Sequence, residues 1–239
     1  MSRWSGLAAF AAAGTLALGL SACGAAGSTA QPKAPATSTT AGKNLAKDTT
    51  TLRELNKLPE SPATLADATL VLVDYQNVYT SGAMKLDGWR PAVDNAKQLL
   101  DRARAARTPV IHIVDKGYDL KSAQGQIIPA LKPRAGEQVV VKSVPDAFRG
   151  TRLLADLKKT GRTKVIVAGF MTHMCTLFTT QGAFVNGFAP TVIGDASATR
   201  ALPLSGDPNG IPADAVQRTA LATVQDLYGV VVPAQRDLS

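Results

Sequence analysis

Six short apolar runs rich in Val and Ile recur along the chain: Thr69–Val73, Pro109–Val114, Gln138–Val141, Lys164–Ala168, Thr191–Ile193 and Val230–Val232. They are continuous rather than alternating, which is the pattern of strands covered on both faces. Longer stretches of helical periodicity lie between them. In Pro91–Ala106 the apolar positions Val93, Ala96, Leu99, Leu100 and Ala103 form one stripe, with Pro91 suited to a first turn. Thr151–Lys159 carries Leu153, Leu154 and Leu157, and His173–Asn186 and Ala213–Tyr228 complete the set. Strands alternating with helices predict crossover units, a parallel sheet and an α/β fold wound right-handed.

The first 51 residues break this pattern. Arg3 precedes a mostly apolar stretch from Leu7 to Leu20 that Gly14 and Gly19 interrupt. A bilayer span takes about 20 consecutive apolar residues, so the run reads as a secretory signal over residues 1–22. Leu20-Ser21-Ala22-Cys23 resembles the bacterial lipoprotein signal, in which the cysteine is acylated and becomes the mature N-terminus. The alternative is an ordinary secretory signal with Cys23 incidental. Residues 23–51 are Ala, Gly, Ser, Thr, Pro and Lys with almost no large apolar side chain, a composition that cannot offset its ordering entropy. They are expected to be a flexible tether, and residues 52–239 one domain, lipid-anchored outside the cytoplasmic membrane.

The formal charge is +8, but the basic residues are scattered and no basic stripe is interleaved with aromatics. Nucleic acid is therefore not expected as a partner. The chain has two cysteines. With Cys23 assigned to lipid, Cys175 is left as a free and reactive thiol in an exported protein.

In a parallel sheet, ligands bind beyond the carboxyl ends of the strands. Asp74 follows the first run, Asp115 and Lys116 the second, Lys142 the third, Gly169–Cys175 the fourth, and Asp195 the fifth. An acid, a base and a thiol are thus aimed at one rim. Each has a plain structural reading as well: Asp74 as a turn cap, Lys142 as a solvated strand end, Cys175 as a small buried hydrophobe.

The stretches "LVLVDYQNVY", "VVVKSVPDAFRGTRL", "VAGFMTHMCTLFTTQGAFVNGF" and "VIGDASA" resemble the isochorismatase-like cysteine hydrolases, the group that contains nicotinamidases and related amidases. The resemblance covers roughly Leu65 to Val232. It implies a doubly wound, Rossmann-like parallel sheet of about six strands in the order 3-2-1-4-5-6, with helices on both faces. It implies a triad of Asp74, Lys142 and Cys175, and a cis peptide between Phe170 and Met171 that aims the Met171 and Cys175 amides at an oxyanion. Tyr79 and Phe148 match family positions lining the substrate pocket, and His173 flanks it; ordinary core packing is the other reading for the two rings. The family's members that cleave the vinyl ether of isochorismate lack the thiol, so Cys175 points to acyl chemistry.

Nicotinamidases place an Asp/His metal cluster after strand two. Here only His112 and Asp115 stand near it, and the remaining histidine is His173, so neither a metal nor another cofactor is expected. The expected partners are a small-molecule substrate, the membrane through the lipid anchor, and further copies of the chain as a homo-oligomer. Lys142 and the helix start would lower the thiol's pKa from its ordinary ~8.5, and Asp74 would take the thiol proton and pass it to the leaving amine. Two other functions fit the same residues: a binding lipoprotein without turnover, and a thiol redox sensor. The segment Pro203–Pro212 reads as a lid or a subunit contact.

Overall fold

The structure, a computed structural model, describes residues 49–239. The signal over residues 1–22, lipidation at Cys23 and most of the tether lie outside the described residues. Among the described residues no helix is long and apolar enough to cross a membrane.

Six parallel strands form the central sheet: β1 (Ala68–Val73), β2 (Val110–Asp115), β3 (Gln138–Lys142), β4 (Lys164–Gly169), β5 (Ala189–Ile193) and β8 (Val230–Val232). Their order is β3-β2-β1-β4-β5-β8, so the expected arrangement is observed with β8 as the sixth strand. The order reverses at β1, which pairs with β2 on one side and β4 on the other, and the crevice opens there. All six residues of β1 are buried, as its continuous apolar run requires.

Two apolar layers flank the sheet. Leu70 and Leu72 of β1 pack with Leu99 and Leu100 of α2 (Trp89–Ala105). Val71 and Val73 face the other way, toward Leu153 and Leu157 of α3 (Leu153–Lys159) and Ala183 of α4 (Leu177–Val185). A short capped helix, α1 (Leu52–Leu55), precedes the sheet, and α5 (Ala213–Thr223) precedes β8. The segment read as a lid or contact forms most of an antiparallel hairpin, β6 (Leu202–Leu204) with β7 (Asp207–Ile211). Its prolines and turn formers hide the strands in the sequence. A two-stranded ribbon tolerates them because each of its strands has a free edge.

Candidate active site

Three strand ends and one helix start build the site. Continued alternation along β1 would send Asp74 to the same side as Leu70 and Leu72. Asp74 instead adopts φ +51, a left-handed conformation that Asp tolerates better than most residues. The chain swings out of the strand, while the Asp74 N–H still donates to the Ile113 carbonyl at 3.1 Å. The carboxylate is fully buried and lies 2.8 Å from Lys142 Nζ.

Lys142 ends the edge strand β3, opposite Asp115 at the end of β2. Its side chain is on the face of Val140 and is 1% exposed. Nζ lies 2.7 Å from Asp115 Oδ2, 2.8 Å from Asp74 Oδ2 and 3.2 Å from Cys175 Sγ. An ammonium has three N–H groups, and here it faces three acceptors. The ion pair with Asp74 is off the line of a directed hydrogen bond. The Asp74 oxygens accept no well-directed hydrogen bond among the described residues, although Lys142 and Cys175 lie close enough to favour the charged carboxylate.

The sulfur arrives through a sharp elbow. At Gly169 a Cβ would sit 2.2 Å from the Val73 carbonyl oxygen, so only glycine lets β4 leave the sheet so close to β1. The Phe170–Met171 peptide is cis, and the Thr172 N–H donates to the Ala198 carbonyl at 3.0 Å. Thr172–Thr176 then forms a wide π turn, with the Thr176 N–H bonded at 3.2 Å to Met171, five residues back. Such turns concentrate at functional sites. Cys175 lies in this first turn, where helical N–H groups lack internal partners, and the Met171 N–H has no acceptor among the described residues.

Burial sets the electrostatics. It raises the Asp74 carboxyl to about 6, against the pull of Lys142. Burial also pushes the Cys175 thiol up to about 12; the Asp74 charge adds to this and Lys142 opposes it. Lys142 itself, despite burial, is held above its ordinary value by Asp74, Cys175 and Asp115. The sequence expectation of a thiol made acidic by Lys142 is therefore corrected. Loss of solvent and a neighbouring carboxylate outweigh one ammonium that is shared among three acceptors. These directions favour a carboxylate, an ammonium and a neutral thiol at rest.

The other expected residues are distributed around this cluster. Tyr79 is 2% exposed, with its ring edge-on to Tyr118 and Phe170, in the same apolar layer as Met171. Phe148 packs in the opposite layer with Cys175 and beside Phe188. His173 Nδ1 meets the Thr199 hydroxyl and turns toward the loop after β5. Asp195 accepts from the Gln235 N–H at 2.9 Å, which ties its loop to the C-terminal segment.

Two site residues escaped the sequence reading. Asp115 was placed at the rim and weighed as a metal ligand but given no part beside Lys142, yet its carboxylate contacts the ammonium. Gln76, wholly buried, clamps the Asp115 backbone: Oε1 accepts its N–H at 2.8 Å and Nε2 donates to its carbonyl at 3.1 Å. A glutamine two residues after the candidate base was the available signal.

One carboxylate oxygen each from Asp74 and Asp115 and the Cys175 sulfur lie within 4.8 Å of one another, a grouping that could surround a metal ion. The Lys142 ammonium already stands among them. His112 is turned elsewhere, its Nε2 2.8 Å from Glu137 Oε2. The residues present therefore fit an ammonium rather than a nicotinamidase-type metal centre.

Comparison with known proteins identifies the family. The isochorismatase domain model matches residues 68–235. The secreted isochorismatase effector Isc1 of Verticillium dahliae is 30% identical over 189 residues, 77% of this chain and 96% of that protein. Nicotinamidase 3 of Arabidopsis thaliana is 29% identical over 157 residues, 55% of this chain and 73% of its own. The crystal structure of an isochorismatase from Pseudomonas putida superposes with a TM-score of 0.76 at 36% identity, covering 80% of this chain and all of that one. The chain belongs to the isochorismatase family of hydrolases.

Proposed function

We propose that this protein is a cysteine hydrolase that cleaves a C–N amide bond of a small molecule, with Asp74, Lys142 and Cys175 as its catalytic groups. The observation that carries the reading is the meeting of the three side chains at one buried point, with Lys142 Nζ 3.2 Å from the sulfur. Such a junction of nucleophile, base and cation suits acyl transfer. The similarity to a protein named nicotinamidase supports amide hydrolysis as the class. The relatives named isochorismatase make vinyl-ether hydrolysis the second reading, and the seated thiol favours the first.

The resting protonation states define the steps. The sulfur attacks the carbonyl carbon as Asp74 takes its proton, and an S–C bond forms. Lys142 stabilises the developing thiolate and then the carboxylic acid's return to charge. The oxyanion sits on the Met171 and Cys175 amides; losing one such donor typically costs ~3–4 kcal/mol. Asp74 hands the proton to the departing nitrogen and the C–N bond breaks, leaving a thioester. Water, deprotonated by Asp74, attacks the thioester carbon; the C–S bond breaks and the thiolate regains the proton. A panel of small amides, with isochorismate included, tests the reading. Turnover that Cys175→Ala abolishes, with an acyl adduct on Cys175 seen by mass spectrometry, is the expected result. Wild-type turnover by Cys175→Ala would overturn it.

The protein is further read as exported and lipid-anchored at Cys23, on the pattern of its first residues and its similarity to a secreted effector. Expressed with its signal in a bacterium, wild type should fractionate with membranes and Cys23→Ser with the soluble exported proteins. Equal solubility of the two would refute the anchor.

A further inference from the structure

We propose that Asp115 is a positioning residue: it shares the Lys142 ammonium with Asp74 and so keeps Asp74 basic enough to take the Cys175 proton. The inference rests on Asp74 being the base of the proposed reaction.

The geometry makes Lys142 a divided cation. Its contacts to Asp115 and Asp74 are 2.7 and 2.8 Å, so neither carboxylate has it alone. The Asp115 contact is the directed hydrogen bond, whereas the Asp74 contact is an ion pair off that line. A lysine paired with Asp74 alone would direct its whole charge to one buried carboxylate. Opposite charge at this range typically lowers a carboxyl by one to three pKa units. That would leave Asp74 a weak base at the point where a strong one is needed.

Asp115 is built to hold its place. Gln76 grips its backbone on both polar atoms, and its second oxygen accepts the Gly117 N–H at 2.7 Å. Its side chain is 19% exposed, the one member of the cluster that solvent reaches appreciably. The charged and titratable groups that act on Asp74 are Lys142 from β3, Asp115 from β2, Cys175 from the π turn and Tyr79 from the segment after β1. Burial is the largest cause of the raised Asp74 carboxyl, and the negative charge of Asp115 acts in the same direction. Of the four groups, Asp115 alone is a second carboxylate on the same ammonium.

The test uses two readouts on the purified protein, wild type, Asp115→Asn and Asp115→Glu. The first is the pH–rate profile for amide turnover. The second is the rate of Cys175 alkylation by iodoacetamide across pH, which needs no substrate and survives a wrong substrate assignment. In Asp115→Asn the acidic limb of turnover should move down by roughly one pH unit, and alkylation at pH 8 should become faster, because the undivided ammonium favours the thiolate. Turnover at neutral pH should fall as alkylation rises, a divergence that simple misfolding does not produce. Asp115→Glu should restore both profiles. Coincident profiles for Asp115→Asn and wild type would overturn the proposal, as would a parallel loss of both readouts that Asp115→Glu fails to restore. If alkylation shifts while Cys175→Ala still turns over the amide, the sharing stands and the hydrolase reading falls.

Discussion

Two polar clusters lie along strands β2 and β3, and they behave in opposite ways. At the carboxyl ends, Asp115 and Lys142 meet Asp74 and Cys175. At the other end, His112 of β2 meets Glu137, just before β3, and Arg104 of α2. Glu137 is saturated: Arg104 Nε and Nη2 reach its two oxygens at 2.7 and 2.9 Å, His112 Nε2 lies at 2.8 Å and the Arg134 N–H donates at 2.9 Å. Although burial opposes ionisation, these partners hold its carboxyl down to about 2. Asp74 is more deeply buried, has one shared ion pair and no directed hydrogen bond, and its carboxyl is raised to about 6. One carboxylate has its charge neutralised from several directions and serves as a clamp. The other is left under-satisfied and can exchange a proton near neutrality.

The widest separation of the two regions should come from Lys142→Met. Two carboxylates and a thiol would then face one another without a cation. Breaking a buried pair from one side typically costs about 3–5 kcal/mol, so chemical denaturation should show a loss of that order. Amide turnover should fall at least about a thousandfold, since the groups act as a unit. A variant retaining a tenth of wild-type turnover would show that the ammonium is structural only.

Asp74→Asn should separate stability from activity. Turnover should drop by about 10²–10⁴, the usual worth of a general base. A carboxyl whose folded value lies above its ordinary 3.8 favours folding when protonated, and this contribution is lost as pH rises through about 6. Above pH 6 the asparagine should therefore melt no lower than wild type, and below pH 4 it should have no advantage. For wild type, turnover should rise with pH through a limb near 6. Thermal melts from pH 4 to 8 beside the pH–rate profile test both parts. An asparagine variant that melts well below wild type at pH 8 would contradict the strained-base account.

Glu137→Gln should do the reverse. Its carboxyl is depressed from the ordinary 4.5, so its stabilising contribution is present above pH 4.5 and lost as pH falls toward about 2. Neutral glutamine should cost about 1–3 kcal/mol at pH 7, because Arg104 and His112 keep partial access to other partners. Wild type and variant should converge in stability as the pH is lowered through that window. Turnover at 25 °C should change less than about twofold.

The two regions also differed in how far the sequence disclosed them. Six apolar runs located all six strands of the sheet, because burial on both faces writes itself as continuous Val and Ile; β3 departs from the expected two-sided cover, an edge strand whose Val139 and Val141 are exposed. Asp74 and Lys142 stood out because each directly follows such a run, and Cys175 because it lies in the turn after one. Asp115 occupies the same kind of position, but beside His112 it read as a half-formed metal site. Register decided otherwise: one strand sends His112 to the α2 side and Asp115 to the sulfur's side, a separation that parity implies and side-chain lists conceal. The left-handed turn at Asp74 was illegible, since alternation alone would have placed its carboxylate on the wrong face. The thiol's acidity was misjudged for a similar reason. A sequence shows which charges are near one another but not that one ammonium is divided among three acceptors.

A chelator should change nothing. Asp74, Asp115 and Cys175 present ligand atoms within 4.8 Å of one another, the spacing a divalent ion could exploit. The point between them is filled by Lys142 Nζ at 2.7–3.2 Å, distances of charge-assisted hydrogen bonds. A zinc ion would need ligands at about 2.0–2.3 Å and the departure of a wholly buried side chain that holds two ion pairs. His112, the nearest additional ligand by sequence, is bound to Glu137 and cannot be recruited without opening that clamp. Turnover and Cys175 alkylation, measured before and after dialysis against EDTA, should agree within error. Activity lost to EDTA and restored by zinc would mean that Lys142 yields its place, and the shared-ammonium account of the site would have to be abandoned.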